Sequence, residues 1–388
     1  MPQVLITDGL LRKTLAATRS LGSRGVRVIV SERDRPNPAA WSRYASGTRL
    51  YPDPVHSPEQ FIQWLLNELE TSHYDVFMPM DDATMTAAVR WQKDLRLLTH
   101  LLVPPEPIYH RLRDKWEAVQ LASEFGFSCP DAFLPHDDSQ WPRSADRLHY
   151  PMVIKPRHSS GSRGLRVAKS SEELIRHYAD IQETWPDPMV QAYVEPGERI
   201  DVCLLCDRNS DVVASFVQKE LRHFPLPYGP STAQESIHEG GLVAQCAMFA
   251  RAVGWVGVME FEFMRDAASG VLQFMEINTR FWNSLQLSIS SGIDFPWLLY
   301  RLSLGDVVRP THAYPSGIRC RSILPIDSLH YLQNPDRRHM QPSFWSRGAV
   351  GGQDDILSLG DPGAALGFLA SLARHALDPS MWRLMFRR

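Results

Sequence analysis

The chain has 388 residues, of which 44% are hydrophobic and 22% are charged, an ordinary globular composition with room for two or three domains. Lysine and arginine number 41 against 44 acidic residues, so the overall positive charge typical of nucleic-acid-binding proteins is missing. The N-terminus lacks a signal-peptide pattern, no apolar run reaches the roughly 20 residues that span a bilayer, and five cysteines do not predict a disulfide framework. We therefore expect a soluble, cytoplasmic protein with no nucleic-acid or membrane partner.

The first hundred residues alternate between strand-like and helical patterns. Strands are predicted at residues 4–6, 26–30, 76–78 and 101–103, with helices at residues 13–21 and 83–93. This alternation predicts a doubly wound parallel α/β domain. The three-glycine fingerprint of dinucleotide-binding folds is missing after the first strand, where Thr7, Asp8 and Gly9 stand.

Two acidic residues, Asp81 and Asp82, follow the third predicted strand. Ligands bind at the carboxyl ends of strands in such sheets, so both side chains are candidates for substrate contact. Aspartate is also a common first residue of a helix, and capping is the interpretation that we favour here.

A new helix is predicted to begin at Asp114, because Asp114 and Glu117 have the spacing of a capping box and Gly126 supplies a stop. Lys115 lies in the first turn of this helix. The helix dipole disfavours a cation there, so the position of Lys115 indicates an anionic partner.

A polar loop follows the predicted strand that ends in Lys155. It contains Gly161 and Gly164 among serines, and such residues let backbone N–H groups approach phosphate oxygens. Lys155 would add a positive charge beside them. The spacing is not that of a Walker A motif, and ordinary hairpins also contain loops of this kind.

The segment 188–198 connects this loop to a strand predicted at residues 200–206. Its apolar residues and free backbone groups could hold a flat base, and Glu198 could accept ribose hydroxyls; the alternative is an ordinary connection with a Pro-Gly turn. Cys203 and Cys206 would point to opposite faces of the strand, so we expect buried free thiols and not zinc ligands.

Metal-binding side chains share one face of a predicted hairpin at residues 257–278. Strand alternation places Glu260 and Glu262 on one face, and a turn centred on Ser269 sets Glu262 across from Glu276 and Glu260 across from Asn278. Opposed carboxylates repel each other, and oxygen ligands favour a hard cation such as Mg²⁺. From the pattern alone, a solvated outer face of a sheet is an equal alternative.

A Pro/Gly-rich stretch at residues 218–232 follows a strand predicted at residues 212–217. We expect it to form a closing lid. Its Lys219 and Arg222 either meet an anionic substrate or phosphate, or form a solvated basic pair.

Taken in order, these segments resemble the ATP-grasp superfamily between about Asp114 and Ser284. The residues that carry the resemblance are Lys115, the strand ending in Lys155 with its Gly/Ser loop, the connection 190–198, and Glu262 with Glu276 and Asn278. Residues 280–284 are similar to ligase members related to carbamoyl-phosphate synthase. The superfamily often reads Asn-Pro-Arg where this chain has Asn278, Thr279 and Arg280; Thr279 would point away from the metal face, so we expect activity to be retained.

The resemblance implies a role for each group of residues. Mg²⁺, with Mn²⁺ as a substitute, would be bound by Glu262, Glu276 and Asn278, and Arg280 would steady the transferred phosphate. ATP would be bound by Lys115 and Lys155 at the phosphates, by Ser159, Ser160, Gly161 and Gly164 in the closing loop, by Gln191, Ala192 and Val194 at the adenine, and by Glu198 at the ribose. Lys219 and Arg222 are the remaining catalytic candidates.

The implied architecture is a pre-ATP-grasp α/β domain at residues 1–112 followed by two α+β subdomains that clamp ATP. We expect a small lid subdomain at 113–189, a large metal-bearing subdomain at 190–305 and a C-terminal extension at 306–388. A helix is predicted to start at Asp361 and Pro362. We expect the tail, residues 381–388, to pack against the catalytic core or a partner in a homodimer, and contact with a membrane surface is the alternative.

Three functions are compatible with this sequence. The leading one is an ADP-forming ligase that activates a small-molecule carboxylate as an acyl phosphate and joins it to an amine. The second is a kinase or a carboxylase-type enzyme; a carboxylase would work beside a biotinyl partner, because this chain has no Met-Lys biotin-attachment motif. The third is a non-catalytic nucleotide-binding module, which the filled metal positions disfavour.

Overall fold

Four parallel strands form the first sheet, in the order β3-β2-β1-β4, in a computed structural model that describes residues 1–159, 161, 163–226, 229–346 and 353–376. The strands are β1 (Gln3–Ile6), β2 (Arg27–Glu32), β3 (Ala45–Leu50) and β4 (Val76–Met78). The helices of this part are α1 (Arg12–Ser23), α2 (Pro58–Thr71), α3 (Asp82–Arg90), α4 (Gln92–Leu95) and α5 (Glu106–Arg113). Leu5 packs into one core cluster while Val4 and Ile6 pack into another, so β1 is covered on both faces, as parallel strands usually are.

The strand predicted at residues 101–103 is wrong. Only the neighbouring His100 makes an isolated bridge, to Val76. Leu101 and Val103 are apolar because they fill one core cluster, and Leu102 fills the other. The strand that the sequence pattern missed is β3, whose half-exposed residues show no apolar alternation.

The second sheet has four strands in the order β5-β8-β6-β7, and every pair is antiparallel. Its elements are α6 (Lys115–Glu124), β5 (Ala132–Phe133), β6 (Met152–Lys155), β7 (Arg166–Ala168), α7 (Ser171–Gln182) and β8 (Met189–Ala192). The predicted start of α6 is confirmed, because the Asp114 side chain accepts hydrogen bonds from the backbone N–H groups of Trp116 and Glu117. A small core of Ile154, Leu174 and neighbouring residues holds α7 on the sheet.

The third sheet is the largest, with seven strands in the order β13-β12-β9-β10-β11-β14-β15. Its strands are β9 (Arg199–Cys206), β10 (Val212–His223), β11 (Ser231–Ile237), β12 (Gly257–Arg265), β13 (Leu272–Asn278), β14 (Arg319–Arg321) and β15 (Gln353–Asp354). The remaining helices are α8 (Gly240–Ala252), α9 (Leu285–Ser290), α10 (Phe295–Ser303), α11 (Ser328–Gln333) and α12 (Pro362–Ala376). Strands β14 and β15 lie beyond residue 306, so the C-terminal segment extends this sheet.

One face of the large sheet is apolar. Phe261 and Phe263 of β12 lie with Phe274 of β13 against Phe127 and Phe249, at ring-centroid distances of 5.4–6.1 Å. This aromatic cluster anchors the predicted hairpin, so its acidic residues point to the opposite face. Cys203 and Cys206 in β9 are buried free thiols, as predicted.

The predicted contacts of the tail, residues 381–388, lie outside the described residues. Within the described ranges, every helix falls short of the length and apolar character that crossing a membrane requires.

Candidate active site

Acidic side chains line up across neighbouring strands of the large sheet. The pairing of β12 with β13 places Glu262 opposite Glu276 and Glu260 opposite Asn278, which confirms the predicted register. On the other side of β12, Asp201 of β9 lies opposite Glu262. Gln218 of β10 continues the row beside Asp201 and donates to it at 2.8 Å. The row therefore concentrates negative charge on one face of the sheet.

Several carboxyl groups of this row have raised pKa values, because burial disfavours their charged form. The Asn278 amide donates to Glu260 at 3.0 Å and to Glu262. Burial raises the pKa of Glu260 to about 8, and burial together with the charge of Glu276 raises the pKa of Glu262 well above its ordinary value. Burial and neighbouring acids also raise the pKa of Asp201. A cation bound here would offset both the energetic cost of burying these carboxylates and the repulsion between them.

Two lysines face the row from the second sheet and its helix. Lys115, in the first turn of α6, forms an ion pair with Glu276. Burial opposes ionisation of Glu276, yet Lys115 holds the pKa of this carboxyl below its ordinary value. Lys155 ends β6 and is buried, and burial lowers its pKa to about 8 although Glu276 acts in the opposite sense. Both lysines therefore lie where phosphate groups would meet the acidic row.

The acidic row suits magnesium better than a metal held by protein ligands alone. Among the described residues, no group of three or more His, Cys, Asp or Glu is arranged to hold a metal. Mg²⁺, however, is usually bound through one or two carboxylates, with water and substrate phosphates as further ligands. Glu262, Glu276 and the amide oxygen of Asn278 supply a hard-oxygen set of that kind.

A first cavity of about 130 Å³ opens between the second sheet and the hairpin of β12 and β13. Its walls combine apolar residues with the lysines and acids described above, a composition that suits a flat base joined to phosphates. Of the predicted nucleotide-binding residues, those that line it are Lys115, Lys155, Ser159, Gln191, Ala192 and Val194.

Glu198 lies outside that lining. Its exposed carboxylate is 3.6 Å from Lys219 and 3.5 Å from Arg265. A ribose contact for Glu198 therefore stays a prediction, because Lys219 and Arg265 already pair with this carboxylate.

Two glycines of the loop after β6 have positive φ. Gly161 and Gly164 have φ values of +63° and +77°, which favour glycine. A Cβ at Gly164 would lie 2.7 Å from Pro156 and 2.8 Å from Trp185, so the close approach also requires glycine. Ser160 lies outside the described residues. The backbone N–H of Lys115 donates to the carbonyl of Arg157 at 3.1 Å, which ties the start of α6 to this loop.

Arg280, directly after β13, reaches back to the N-terminal domain. It is buried, and its Nε lies 3.6 Å from Asp81 and 3.5 Å from Asp82. Burial opposes its charge, but these two aspartates raise the pKa of Arg280 above its ordinary value, so the guanidinium stays charged. Asp81 precedes α3, and its backbone N–H donates to the Thr84 hydroxyl, as the favoured capping interpretation predicted.

Both predicted boundaries of the lid loop, residues 218 and 232, are wrong. Strand β10 continues to His223, and β11 already begins at Ser231, so the connecting loop is confined to residues 224–230, of which 227 and 228 lie outside the described residues. The polar residues of β10 made it resemble a loop, but Gln218 and Arg222 are buried and have partners on neighbouring elements.

The two basic residues of this stretch occupy different places. Arg222 donates to Asp327 at 2.7 and 2.9 Å and to the carbonyl of Pro342 at 3.0 Å, so it anchors the C-terminal segment. Lys219 is half-buried and paired with Glu198. The structure thus brings Arg280 to the acidic row and separates Arg222 from it.

Several residues near the row were missed from the sequence. Asp201 and Arg199 line the first cavity, and their signal was alternation, because these two polar positions flank the buried apolar Ile200 in β9. Lys13 is fully buried in α1 and donates to Asp81 at 2.8 Å and to the carbonyl of Phe281 at 3.1 Å. No local pattern marks Lys13, because its partners lie far away in sequence.

Two further cavities adjoin the row. A second cavity of about 410 Å³ lies between the carboxyl edge of the first sheet and the hairpin, and its lining includes Asp8, Glu32, Lys115 and Asn278. A third cavity of about 120 Å³ lies on the other side of the row and is lined by Glu260, Arg280, Trp282 and residues of the loop before β11. The row therefore borders three adjoining cavities, which share several lining residues.

Known proteins are similar to parts of this chain in sequence. The family model of the carbamoyl-phosphate synthase L chain ATP-binding domain matches residues 114–309. Biotin carboxylase 1 of Bacillus subtilis is 28% identical over 151 residues, which cover 35% of this chain and 32% of that protein. The D-alanine–D-alanine ligase of Chromohalobacter salexigens is 25% identical over 205 residues, 49% of this chain and 63% of that protein. The chain thus spans about a third of the biotin carboxylase and less than two thirds of the ligase.

Among solved structures, the biotin carboxylase of Campylobacter jejuni superposes with a TM-score of 0.69 at 18% identity, covering 82% of this chain and 74% of that one. At this identity the likeness concerns the fold. It confirms the predicted class, an α/β domain followed by an ATP-grasp fold.

Proposed function

This chain belongs to the family of the carbamoyl-phosphate synthase L chain ATP-binding domain, and from this premise we propose that it is an ATP-dependent, ADP-forming ligase that joins a small carboxylate to an amine. The observation that carries the proposal is the partly buried acidic row, which meets two lysines at the first cavity. Partly buried carboxylates beside two lysines, one of them buried, are what a magnesium–phosphate group requires on its two sides.

The nucleotide would bind in the first cavity. Gln191, Ala192 and Val194 line the part suited to the base, and Lys115 and Lys155 would meet the phosphates. The loop of residues 159–164 would close over them with its backbone N–H groups. Glu198 would turn from Arg265 to the ribose hydroxyls.

Glu262, Glu276 and Asn278 would hold one or two magnesium ions, with manganese as a substitute. Magnesium when bound offsets the charge that develops on the transferred phosphoryl group. Lys115 would then exchange its partner Glu276 for a phosphate oxygen. Arg280 keeps a fixed positive charge at the border of the third cavity, where the acyl group would form.

The chemistry follows in two balanced steps. A carboxylate oxygen of the substrate forms a bond to the γ-phosphorus of ATP, and ADP leaves. The amine nitrogen then forms a bond to the acyl carbon, phosphate leaves, and the amine gives up a proton. Water must be excluded between these steps, because it would hydrolyse the acyl phosphate.

A carboxylase-type reaction is the second candidate, because two of the matches described above are to biotin carboxylases. In that reaction bicarbonate would be the carboxylate, and a biotinyl partner would supply the acceptor nitrogen.

We also propose a homodimer, in line with the dimer named for the biotin carboxylase domain of Hydrogenobacter thermophilus 2-oxoglutarate carboxylase. Sedimentation of the purified chain would test this.

The test is to incubate the purified chain with ATP and Mg²⁺, together with pools of carboxylates, bicarbonate and pools of amines. Equal amounts of ADP and phosphate, released only when both co-substrates are present, are the expected result. Turnover with bicarbonate and free biotin would favour the carboxylase. A phosphorylated product from a single acceptor, or nucleotide binding without turnover in any pool, would contradict the ligase.

A further inference from the structure

Trp282 lies two residues after Arg280, in the segment that links β13 to α9, and it lines the third cavity. Its side chain is only 1% exposed. The ring of Phe295 lies edge-on at a centroid distance of 4.8 Å, and the ring of Phe281 lies at 6.1 Å. These aromatic contacts hold the indole in place beside the cavity.

The indole nitrogen of Trp282 has no hydrogen-bond partner in the described part of the chain. An indole N–H can only donate, so it needs an acceptor to be satisfied. An unpaired buried donor costs free energy, and the N–H of a buried tryptophan usually finds a partner. The nitrogen therefore marks a place where an acceptor is expected.

Trp255 shows the usual arrangement in the same chain. It is 0% exposed, and its Nε1 donates to the backbone carbonyl of Val258 at 3.2 Å. The two indoles are almost equally buried. The fold thus supplies an acceptor to the indole of Trp255 and none to the indole of Trp282.

Carboxylates line the third cavity, yet none of those described accepts a hydrogen bond from this indole. They have other contacts: Glu260 and Glu262 accept from the Asn278 amide, and Glu276 pairs with Lys115. The acceptor must therefore come from a molecule in the cavity, which is either a substrate or an ordered water.

Arg280 lines the same cavity and is 8% exposed. Its Nε makes no hydrogen bond either, although Asp82 and Asp81 lie 3.5 and 3.6 Å from it. Two buried N–H groups without acceptors, one of them charged, thus border one cavity. Carboxylate oxygens are among the strongest acceptors for such donors.

We propose that the indole N–H of Trp282 donates to an oxygen of the carboxylate co-substrate in the third cavity, which makes Trp282 a specificity-determining residue; the inference rests on the proposed ligase function. The cavity, of about 120 Å³, suits a small acid. A carboxylate held through one oxygen would present the other to the γ-phosphorus in a fixed orientation.

Nitrogen-15 NMR of the full chain, with labelled tryptophan indoles, tests the contact directly. The chain has 11 tryptophans, and Trp282→Phe identifies one N–H signal by its loss. The probes are acetate, short linear dicarboxylates and the common amino acids, each titrated by calorimetry into the chain with ADP and Mg²⁺. We expect at least one probe to bind and to move the N–H signal of Trp282 downfield, as a new hydrogen bond does.

Trp282→Phe should weaken binding of that probe at least about tenfold, because it removes one hydrogen bond to a charged oxygen while an aromatic ring remains. Trp282→His keeps a ring N–H and should recover part of the loss. Thermal unfolding shows whether each variant is folded. The signals of the wild type carry the test even where a variant fails to fold, since at least one indole signal must move when the probe is added.

Trp255→Phe is the matched control, because it removes an equally buried indole whose partner belongs to the chain. It should bind the probe as the wild type does. The N–H signal that this variant lacks should stay in place when the probe is added to the wild type.

Three results would overturn the assignment. In the first, a probe binds and no indole signal moves. In the second, the Trp282 signal already has its downfield position in the ligand-free chain, which makes water its partner. In the third, folded Trp282→Phe binds the probe with wild-type affinity. Failure of the wild type to bind ADP, or to bind any carboxylate beside it, is a different outcome, because it contradicts the ligase function itself.

Discussion

The contact between Lys115 and Glu276 joins the start of α6 to the return strand of the hairpin. In the proposed cycle this ion pair must open, since Lys115 turns to phosphate and Glu276 to magnesium. Glu276 therefore carries two roles that both depend on its negative charge.

Glu276→Gln should lower turnover at least about a hundredfold, because a neutral amide neither attracts the metal nor pairs with Lys115. The fold should survive, since the change relieves repulsion with Glu262. Release of ADP under saturating ATP measures the effect. Glu124→Gln, an exposed acid at the end of α6, is the control and should behave as wild type. Wild-type turnover of Glu276→Gln with an unchanged Mg²⁺ requirement would refute its role as a ligand.

Glu32 makes stability depend on pH. Its ordinary pKa of 4.5 is raised to about 7 by burial and by the charge of Asp8, while the backbone N–H groups of Leu10 and Arg33 and the charge of Arg33 act in the opposite sense. Between these values the folded chain keeps a proton on Glu32 that the unfolded chain has released. The contribution of Glu32 to the free energy of unfolding is therefore fully present below pH 4.5 and is lost as the pH rises through 7.

We expect the free energy of unfolding of the wild type to fall relative to Glu32→Gln by on the order of 3 kcal/mol between pH 4.5 and pH 8. Chemical denaturation of both proteins across this range measures the difference. Parallel pH profiles of the two proteins would show that folding leaves the pKa of Glu32 unshifted.

At the scale of elements, the large sheet shows what a sequence can reveal. The register of β12 and β13 was predictable, because Glu262, Glu276 and Asn278 alternate with large apolar residues on both strands. The length of β10 was not, because its polar residues are satisfied by elements that are distant in sequence. Arg222 is the clearest example: its partner Asp327 lies 105 residues away.

Arg222→Met should destabilise the chain by about 3–5 kcal/mol, because it leaves Asp327 buried without a cation. Thr232 also donates to Asp327 at 2.8 Å, so the hairpin of β10 and β11 should loosen with it. Denaturant unfolding gives the magnitude. The matched control is Arg301→Met, because the Arg301–Asp306 pair is 36% and 45% exposed and its loss should cost less than about 1 kcal/mol. Equal losses for the two variants would mean that the burial of Arg222 is unimportant.

At the scale of the whole molecule, ion pairs hold the first sheet to the large one. Lys13 bonds to Asp81 and to the carbonyl of Phe281, and Arg12 and Arg19 of the same helix pair with Asp355 and Asp361. The strands and helices around the first sheet, and those around the large sheet, can each be predicted from their own stretch of sequence. The placement of the two sheets relative to each other cannot be predicted in this way, because it depends on contacts between single residues more than 200 positions apart.

Lys13→Met should weaken this attachment, because the carbonyl of Phe281 and one contact of Asp81 lose their donor, at a cost of about 1–3 kcal/mol. Hydrogen exchange should rise in α1 and in the loop after β13 together. Lys93→Met, a change of the same kind at an exposed position, should alter neither region. Faster exchange confined to α1 would show that Lys13 does not connect the two parts.

Lys115 borders both the first and the second cavity. A ligand in one space that draws this ammonium toward itself changes the field felt in the other. Thermodynamic linkage then demands symmetry: whatever factor the nucleotide applies to the affinity of the co-substrate, the co-substrate applies to the nucleotide. Through the Lys115 side chain, the binding of either ligand thereby changes the affinity of the chain for the other.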